Sequence, residues 1–389
     1  MATSVSPARL RALRTRTAEM VGQLGRLVSV ETPSDDLSAC RAGAEAVSAL
    51  GEEIVGGPPE PVEIDGRIHL RWRWPAAPGQ PTAALIGHYD TVWPLGTLDR
   101  WPFTIDEAAG TATGPGCFDM KAGIVQLFHA VAALPDRAGL EILLTGDEEI
   151  GSPTSHKLVQ ETARRCDAAL ILEPSVDGAV KTSRKGIGRY RFDVHGRAAH
   201  AGLDPELGRN ALTVLGRLLL DVGELTRPDL GTTVTPTLAG GGTAGNVVPA
   251  HAWLGVDVRV AVEDEAKRVD EELRSLKPIL PDVFVSLAGG ASRPPLPASS
   301  TAALFARAAA LAPALGLGPL RGTGVGGGSD GNFTAAAGCP TLDGLGAVGD
   351  GAHSEGEYVV VAAMPDRAAL VAELVEDIRR NQDGGPGNR

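Results

Sequence analysis

Short apolar segments alternate with helix-like segments over the first 172 residues, and this alternation restricts the fold more than any other feature of the sequence. The apolar segments are typical of buried strands and cover residues 67–73, 82–87, 140–145 and 168–172. Apolar residues at helical spacing predict helices over residues 8–30, 37–54, 120–134 and 153–165. Strands that alternate with helices favour an α/β domain in which helices cover a largely parallel sheet.

The pattern changes after residue 183. Residues 187–195 and 251–260 alternate between apolar and polar side chains, as half-exposed strands do. Helical spacing occupies residues 207–224 and 264–275, and the combination is typical of a small α+β unit with an antiparallel sheet.

The α/β pattern returns after a proline cluster at residues 294–297, with predicted helices over 300–314 and 361–380. We therefore predict a split first domain, formed by residues 1–183 and 298–389. The second domain, residues 184–297, is predicted to be inserted into it.

Charge and cysteine content exclude several classes of protein. The formal net charge is −12, whereas nucleic acids and anionic membranes attract proteins with clustered Lys and Arg. The four cysteines form no CxxC pair, which argues against a disulfide framework or a cysteine-based zinc site. The first 30 residues lack the apolar core of a signal peptide, and no apolar run reaches the ~18 residues of a membrane span. We expect a cytoplasmic protein that binds neither nucleic acid nor membrane.

Carboxylate and imidazole side chains follow the predicted strands or lie in nearby loops. These residues are His88, Asp90, Asp119, Glu148, Glu149, Glu173 and His353. Ligands of open α/β sheets bind beyond the carboxyl ends of the strands. The sequence therefore predicts that these side chains meet in one crevice.

Such side chains are suitable ligands for zinc and related divalent ions, including Co²⁺ and Mn²⁺. Two metals about 3.5–4 Å apart need a shared anionic bridge and further ligands for each ion. Asp119 can supply the bridge, His88 with Glu173 can complete one metal, and Glu149 with His353 can complete the other.

Two further carboxylates are not needed as ligands. Adjacent side chains of an extended segment point in opposite directions, so Glu148 can act as the acid/base while Glu149 binds metal. Asp90 lies two residues after His88 and can accept the second imidazole N–H.

The motifs around these residues resemble those of a known family. The motifs are HYDTV, GPGCFDMKAG, LLTGDEEIGS, ILEP, HGRAAHAG, GGTAGNVVPA, GGGSDGNFTAAAG and HSEGEY. In this order they are similar to the dizinc aminopeptidase/carboxypeptidase group, which includes glutamate carboxypeptidase, acetylornithine deacetylase and succinyl-diaminopimelate desuccinylase. The resemblance covers about residues 85–360, and TSRKGIGRYRF and PTLDGLGAVGDGAHSEGEY are most similar to the glutamate carboxypeptidase branch.

The resemblance implies a zinc-peptidase-like mixed sheet flanked by helices, with residues 184–297 serving as an α+β lid and dimerisation domain. It also implies a homodimer, two zinc ions per chain and the metal and acid/base roles given above. His200, in the stretch AAHAG, matches a family histidine that reaches the active site of the partner subunit and stabilises the oxyanion.

The resemblance also implies a set of substrate-binding residues. Arg259 and Asn246 match positions that bind a free α-carboxylate, for which the planar guanidinium of arginine is well suited. Lys181 and Ser183 match positions that contact the side-chain carboxylate of glutamate.

The glycine-rich run that contains Gly328 and Ser329 resembles a loop whose backbone approaches the substrate. Val325 stands where the glutamate-specific enzymes carry threonine. We expect hydrolysis of the amide bond to a C-terminal amino acid with a free carboxylate, most similar to a glutamate carboxypeptidase. The alternative is an N-acyl amino acid deacylase of the acetylornithine or succinyl-diaminopimelate type, and both would act on a small peptide or N-acyl amino acid.

Three other classes of function remain to be tested. Residues 322–327 fit GxGxxG, although a dinucleotide site needs that motif directly after a first strand. Residues 327–331 fit GxSxG, which would make Ser329 a serine nucleophile with His353 and either Asp343 or Asp350. A binding protein without activity would be expected to lack a ligand or the base, and none is missing.

Overall fold

The computed structural model describes residues 5–380, which form two compact units. The first unit comprises the chain up to Ser183, Ala298–Val325 and the chain from Ser329 onward. The second unit comprises Arg184–Pro297 and the short segment Gly326–Gly328.

The α-helices of the described residues are, in chain order, α1 Pro7–Arg14, α2 Thr17–Val28, α3 Leu37–Val55, α4 Thr97–Arg100, α5 Ala122–Ala132, α6 His156–Arg165, α7 Ala211–Gly223, α8 Glu263–Ser275, α9 Ala298–Ala314, α10 Asp330–Ala336 and α11 Ala363–Arg380. The strands are β1 Glu60–Ile64, β2 Arg67–Trp74, β3 Ala83–His88, β4 Thr104–Asp106, β5 Thr111–Thr113, β6 Leu140–Thr145, β7 Ala168–Ile171, β8 Val180–Arg184, β9 Gly186–His195, β10 Thr233–Gly241, β11 His251–Val260, β12 Phe284–Arg293, β13 Gly322–Val325, β14 Thr341–Leu342, β15 Gly349–Asp350 and β16 Tyr358–Val360.

The first unit is built on a six-stranded mixed sheet in the order β1-β2-β6-β3-β7-β14. Strands β6, β3, β7 and β14 are parallel, whereas β1 and β2 add an antiparallel edge. The mixed sheet implied by the resemblance is therefore present. The parallel arrangement predicted from the strand and helix pattern is confirmed for strands β6, β3, β7 and β14.

Helices cover both faces of this sheet, so its central strands are apolar throughout. Every residue of β3 and β6 is buried. Successive side chains point to opposite faces: Leu85 joins the core that includes Phe128 of α5, whereas Ile86 joins the core that includes Leu158 of α6. Continuous apolar runs are what strands buried on both faces require.

The second unit is an antiparallel sheet in the order β10-β11-β9-β12, with helices α7 and α8 on one face. Alternate residues of β9 and β11, among them Phe192, Val194 and Leu254, enter a core with Leu215 and Val269 from the two helices. This explains the strict alternation in the sequence, because one sheet face is covered and the other is not.

Several element bounds differ from those predicted. The single helix predicted over 8–30 is two helices, which end and begin around Thr15 and Arg16. Helix α7 begins at Ala211 because the Asn210 side chain accepts the N–H groups of the first turn. The short strands β4, β5, β15 and β16, which pair into a small sheet, were not predicted.

No helix within residues 5–380 is both long and apolar enough to cross a bilayer. All four cysteines are buried and none forms a disulfide bond.

Candidate metal centre and active site

Three neighbouring strands end at the same edge of the first unit's sheet. His88 is the last residue of β3, which lies between β6 and β7 and pairs with Thr145 at the end of β6. Glu148 and Glu149 follow β6 in a single 3₁₀ turn, and Glu173 follows β7. Parallel pairing therefore gathers these side chains, as the sequence predicted.

The five predicted metal ligands form one connected cluster. His88 Nε2 lies 3.3 Å from Asp119 Oδ1 and 3.5 Å from Glu173 Oε1. His353 Nε2 lies 3.0 Å from Glu149 Oε2 and 3.5 Å from Asp119 Oδ2. Asp119 therefore lies between the two histidines with one carboxylate oxygen toward each, the position that a bridging ligand needs.

Unpartnered oxygens in the cluster fit a cation. Asp119 Oδ1 and Glu149 Oε1 are buried and accept no hydrogen bond from the described residues. Ligand atoms lie within 4.8 Å of one another both in the group His88, Asp119 and Glu149 and in the group His88, Glu148 and Glu173. Buried carboxylate oxygens without donors are costly, and divalent ions coordinate such oxygens. Both groups contain His88, neither contains His353, and the second includes Glu148, the predicted acid/base, so the donor types suit a divalent ion while the division into two ligand sets stays a prediction.

The electrostatics of the cluster agree with this fit. Burial raises the pKa of Glu149 to about 7, and the hydrogen bond with Glu149 raises the pKa of His353 to about 9. Burial opposes protonation of His88, but the carboxylates of Asp119, Asp90 and Glu173 outweigh it and raise the pKa of that imidazole well above its ordinary value. Crowded carboxylates attract positive charge, whether protons or metal ions.

Asp90 organises the loop that carries the two glutamates. Its carboxyl group is fully buried; Oδ1 accepts the Glu148 N–H at 3.1 Å, and Oδ2 accepts the Glu149 N–H at 3.2 Å and the Ser34 hydroxyl at 2.7 Å. We expected this carboxylate to hold the second imidazole nitrogen of His88. That Nδ1 is closer to the Asp90 backbone oxygen, at 3.0 Å, than to Oδ1, at 3.5 Å.

Asp147 is a second buried anchor of the same loop, and it had no predicted role. Its carboxylate accepts the hydroxyl and backbone N–H groups of both Thr154 and Ser155. The supporting roles of Ser34 and Asp147 could not be predicted from the sequence. Ser34 contacts Asp90, which is distant in sequence, and Asp147 binds backbone N–H groups as well as hydroxyls.

Glu357 supports the loop that carries Asp119. The side chain is fully buried, and Oε1 accepts the Trp93 indole N–H at 3.2 Å and the backbone N–H of Gly116. Burial, followed by the charge of Asp119, raises the pKa of Glu357 to about 8. From the sequence we gave a role to His353 in the motif HSEGEY but none to Glu357. Its position directly before the apolar run YVVV was the signal that could have identified it.

Lys181 and Ser183 lie two residues apart on β8. Lys181 is buried, and its Nζ lies 3.7 Å from Glu173 Oε2, beside the predicted metal ligands. Ser183 is partly exposed. Their predicted contact with a substrate carboxylate stays a prediction.

Ser329 is the N-cap of α10. Its Oγ donates to Asp343 Oδ2 at 2.5 Å and accepts the Gly331 N–H at 3.1 Å, and its side chain is fully buried. A serine nucleophile needs a hydrogen bond to a base and access to substrate. The geometry therefore argues against the serine-hydrolase alternative and gives the Ser329 side chain a structural role. The predicted approach of this loop's backbone to the substrate stays a prediction.

The motif GTGVGG does not lie in a dinucleotide-binding context. Within residues 5–380, Gly322–Val325 forms β13 and pairs with β8 in a two-stranded sheet. A dinucleotide site places such glycines between the first strand of a βαβ unit and its helix.

Arg259 and its neighbours lie in the second unit. The Nε and Nη2 atoms of Arg259 donate to the two carboxylate oxygens of Asp257 at 2.7 and 3.1 Å, and Nη1 donates to the Gly326 carbonyl at 3.3 Å. One edge of the guanidinium is therefore already paired. Gly328 accepts a hydrogen bond from Arg184 through its backbone oxygen.

His200 and Asn246 are exposed residues of the same unit. His200 Nδ1 accepts the backbone N–H groups of Gly202 and Leu203 at 3.1 and 3.0 Å. A neutral ring that accepts these bonds carries its proton on Nε2, which can donate a hydrogen bond. The Asn246 carbonyl accepts the Ala201 N–H.

Comparison with known proteins identifies the family of the chain. Residues 84–377 match the peptidase family M20/M25/M40. Carboxypeptidase G2 of Pseudomonas sp. (strain RS-16) is 31% identical over 379 residues, covering 94% of this chain and 86% of the relative. Succinyl-diaminopimelate desuccinylase of Ruegeria pomeroyi is 27% identical, covering 92% and 98%.

Solved structures show the same fold. Aminopeptidase PepT of Bacillus cereus superposes with a TM-score of 0.72 at 21% identity, covering 93% of this chain and 98% of that one. The metallo-carboxypeptidase Sso-CP2 of Sulfolobus solfataricus superposes with a TM-score of 0.71 at 15% identity, covering 94% and 99%. The chain described here therefore belongs to peptidase family M20/M25/M40 and is a metal-dependent hydrolase.

Proposed function

We propose that this hydrolase is a dizinc exopeptidase that cleaves the amide bond to a C-terminal amino acid with a free carboxylate, with glutamate as the first choice. The observation that supports this most strongly is the cluster in which Asp119 lies between His88 and His353, with Glu149 and Glu173 completing two ligand sets. The similarity to carboxypeptidase G2 over 94% of the chain supports the choice of reaction.

The five ligands would hold two ions, which when bound polarise the scissile carbonyl and lower the pKa of water. Zinc is our first assignment because its preferred ligands are imidazole nitrogens and carboxylate oxygens; Co²⁺ and Mn²⁺ can use the same set. The unpartnered oxygens of Asp119 and Glu149 are the groups that an ion would satisfy.

Glu148 is the proposed general base and acid. Glu148 is 8% exposed, and its backbone N–H donates to Asp90, which anchors the turn that carries it. It would take a proton from the attacking water and give it to the leaving nitrogen. Glu148 also lies close enough to His88 and Glu173 to act beside the metal cluster.

Recognition of the substrate carboxylate is assigned to Arg259, assisted by Asn246 and the backbone around Gly328. Asp257 already occupies the Nε–Nη2 edge of the guanidinium, so a substrate carboxylate would use the edge that contains Nη1. Lys181 and Ser183 are the proposed contacts of a second, side-chain carboxylate.

A homodimer is proposed through the second unit. Large apolar side chains of that unit are exposed, including Leu212 and Leu220 on α7 and Leu238 on the edge strand β10. A stable dimer would bury such a surface. The Nε2–H of the exposed His200 is suited to donate to an oxyanion in the partner subunit's site, as the resemblance implies.

The second candidate function is removal of an N-acyl group from an amino acid. The desuccinylase relative, matched over 92% of this chain, favours it. Val325, which stands where the glutamate-specific enzymes carry threonine, is the first residue to examine if glutamate substrates fail.

Metal analysis combined with a substrate panel tests the proposal. The purified chain should contain about two zinc ions and should hydrolyse N-acyl and peptidyl glutamates, with loss of activity on chelation and recovery with zinc. Turnover of N-succinyl or N-acetyl diamino acids without turnover of glutamates would favour the second function. Fewer than two bound metals with full activity would contradict the dizinc mechanism.

A further inference from the structure

A buried histidine, His69, contacts both ends of the loop that carries Glu148, and it belongs to none of the groups assigned above to catalysis or metal binding. His69 lies on β2, which runs antiparallel to β6. The first residues of β2 therefore lie beside the last residues of β6, at the edge of the sheet where the predicted metal ligands gather. The His69 side chain is fully buried.

The two ring nitrogens of His69 join opposite ends of this loop. Nδ1 lies 3.3 Å from the backbone nitrogen of Gly146, and Nε2 lies 3.0 Å from the hydroxyl oxygen of Thr154. A backbone N–H can only donate, so Nδ1 is the acceptor and the neutral ring carries its proton on Nε2. Burial lowers the pKa of His69 below its ordinary value, which favours this neutral form.

The direction of the next hydrogen bond follows. The Thr154 hydroxyl accepts the Nε2 proton of His69 and donates its own proton to Asp147 Oδ2 at 2.6 Å. This chain of hydrogen bonds ends at the residue directly before Glu148. It is directional throughout, because the backbone N–H of Gly146 fixes the tautomer at its start.

Strand β2 holds the start of the loop through a second side chain. Arg67 Nη1 donates to the Gly146 carbonyl at 3.3 Å. Both polar backbone groups of Gly146 are therefore bonded to side chains of β2, its N–H to His69 and its carbonyl to Arg67.

These contacts are separate from those that support the metal ligands. The backbone N–H groups of Glu148 and Glu149 donate to Asp90, whereas His69 contacts the segments before and after that turn. A group that transfers protons must stay within hydrogen-bond reach of the reacting atoms, and a displacement of about 1 Å can lower a rate by about 10²-fold.

We propose that His69 is a positioning residue for Glu148 and that it acts through Thr154 and Asp147. By joining Gly146 to Thr154, His69 restricts the conformations of the loop between them. This inference rests on the proposed acid/base role of Glu148. Breaking the chain of hydrogen bonds should therefore reduce turnover without loss of metal.

The pair Thr154→Val and Thr154→Ser tests the chain at its middle. Valine has the shape of threonine but no hydroxyl, whereas serine keeps both hydrogen bonds. Thr154→Val should lower kcat by about tenfold or more, with KM and zinc content within about twofold of the wild type. Thr154→Ser should restore most of that turnover.

The matched control is Thr162→Val. Thr162 is fully buried, and its hydroxyl donates to Glu141 Oε1 at 3.0 Å. Glu141 is near the start of β6, away from the edge that carries the predicted ligands. The control should therefore lose stability but keep the kcat of the wild type.

His69→Asn tests the start of the chain. The asparagine oxygen can take the place of Nδ1 and accept the Gly146 N–H, but the shorter side chain does not reach Thr154. Its kcat should fall as in Thr154→Val, and the double variant should be no slower than either single variant, because both remove the same hydrogen bond. If His69→Asn does not fold, the two Thr154 variants decide.

Amide hydrogen exchange of the full chain, with and without zinc, gives a readout that is independent of activity. The backbone amides of residues 146–155 should exchange about tenfold faster in Thr154→Val than in Thr162→Val. Normal kcat in Thr154→Val, zinc loss in proportion to the loss of kcat, or additive losses in the double variant would each overturn the positioning role. A wild type that hydrolyses no substrate of the panel would contradict the proposed function instead, and equal exchange rates in the two valine variants would then overturn this inference by themselves.

Discussion

The variant Asp90→Asn tests whether Asp90 supports the proposed metal ligands without binding metal itself. Asp90 is not one of the proposed ligands, but its two oxygens accept three hydrogen bonds, from Glu148, Glu149 and Ser34. Asparagine has the same shape and a single acceptor oxygen. The favoured amide orientation keeps the two bonds to Oδ2 and turns the NH₂ group toward the Glu148 N–H.

The expected loss in the free energy of unfolding follows from that geometry. One buried backbone donor, the Glu148 N–H, loses its acceptor and faces another donor, which costs about 1–3 kcal/mol in the free energy of unfolding. The displaced loop carries both Glu148 and Glu149. We expect zinc affinity to fall by about 10–100-fold, as is typical when a group that supports metal ligands is changed.

Asp147→Asn is the matched control. Asp147 is as buried as Asp90 and anchors the same loop, but its Oδ1 accepts the Ser155 hydroxyl, which can rotate and accept from an amide. The free energy of unfolding of this variant should fall by less than about 1 kcal/mol, and its zinc affinity should stay unchanged. Urea unfolding of the metal-free variants and calorimetric titration with zinc measure the two quantities. Equal zinc affinities for Asp90→Asn and Asp147→Asn would refute the supporting role of Asp90.

Three further variants test other groups. Glu148→Gln should keep both metals and lower kcat by about 10²–10⁴-fold, whereas Glu149→Gln should lose metal; near-normal turnover in Glu148→Gln would rule out the proton-transfer role. Arg259→Ala should raise KM by about tenfold or more for substrates with a free C-terminal carboxylate but not for their amides, and an equal change for both would remove the assigned contact. In the second unit, the hydrogen bond from Arg268 lowers the pKa of Glu265 from 4.5 to about 2. Because the folded-state pKa is depressed, this stabilisation is complete above about pH 4.5 and is lost as the pH falls toward 2. The difference in unfolding free energy between the wild type and Glu265→Gln should therefore shrink over that interval, and a constant difference would contradict the assignment.

The α/β core and the gathering of imidazole and carboxylate side chains could be predicted because both follow from local patterns. Strands such as β3 are apolar along their whole length since helices cover both faces, and His88 directly follows that run. The split of the first predicted helix into α1 and α2 was missed, since both helices have buried apolar faces and the break lies in the short polar segment between them. The homodimer, the zinc identity, the cytoplasmic location and the glutamate preference stay predictions.

The sequence by itself determined which chemistry this chain can carry. Residue type and order place imidazoles and carboxylates after buried strands, and parallel pairing brings strand ends to one edge. Only the tertiary structure decided which groups support that chemistry. The contacts of Ser34 with Asp90, of Glu357 with Gly116 and of Asp257 with Arg259 depend on side-chain direction, and two of the three join segments far apart in sequence. Hydrogen bonds of this kind leave no periodic pattern in the sequence because they arise from packing between elements.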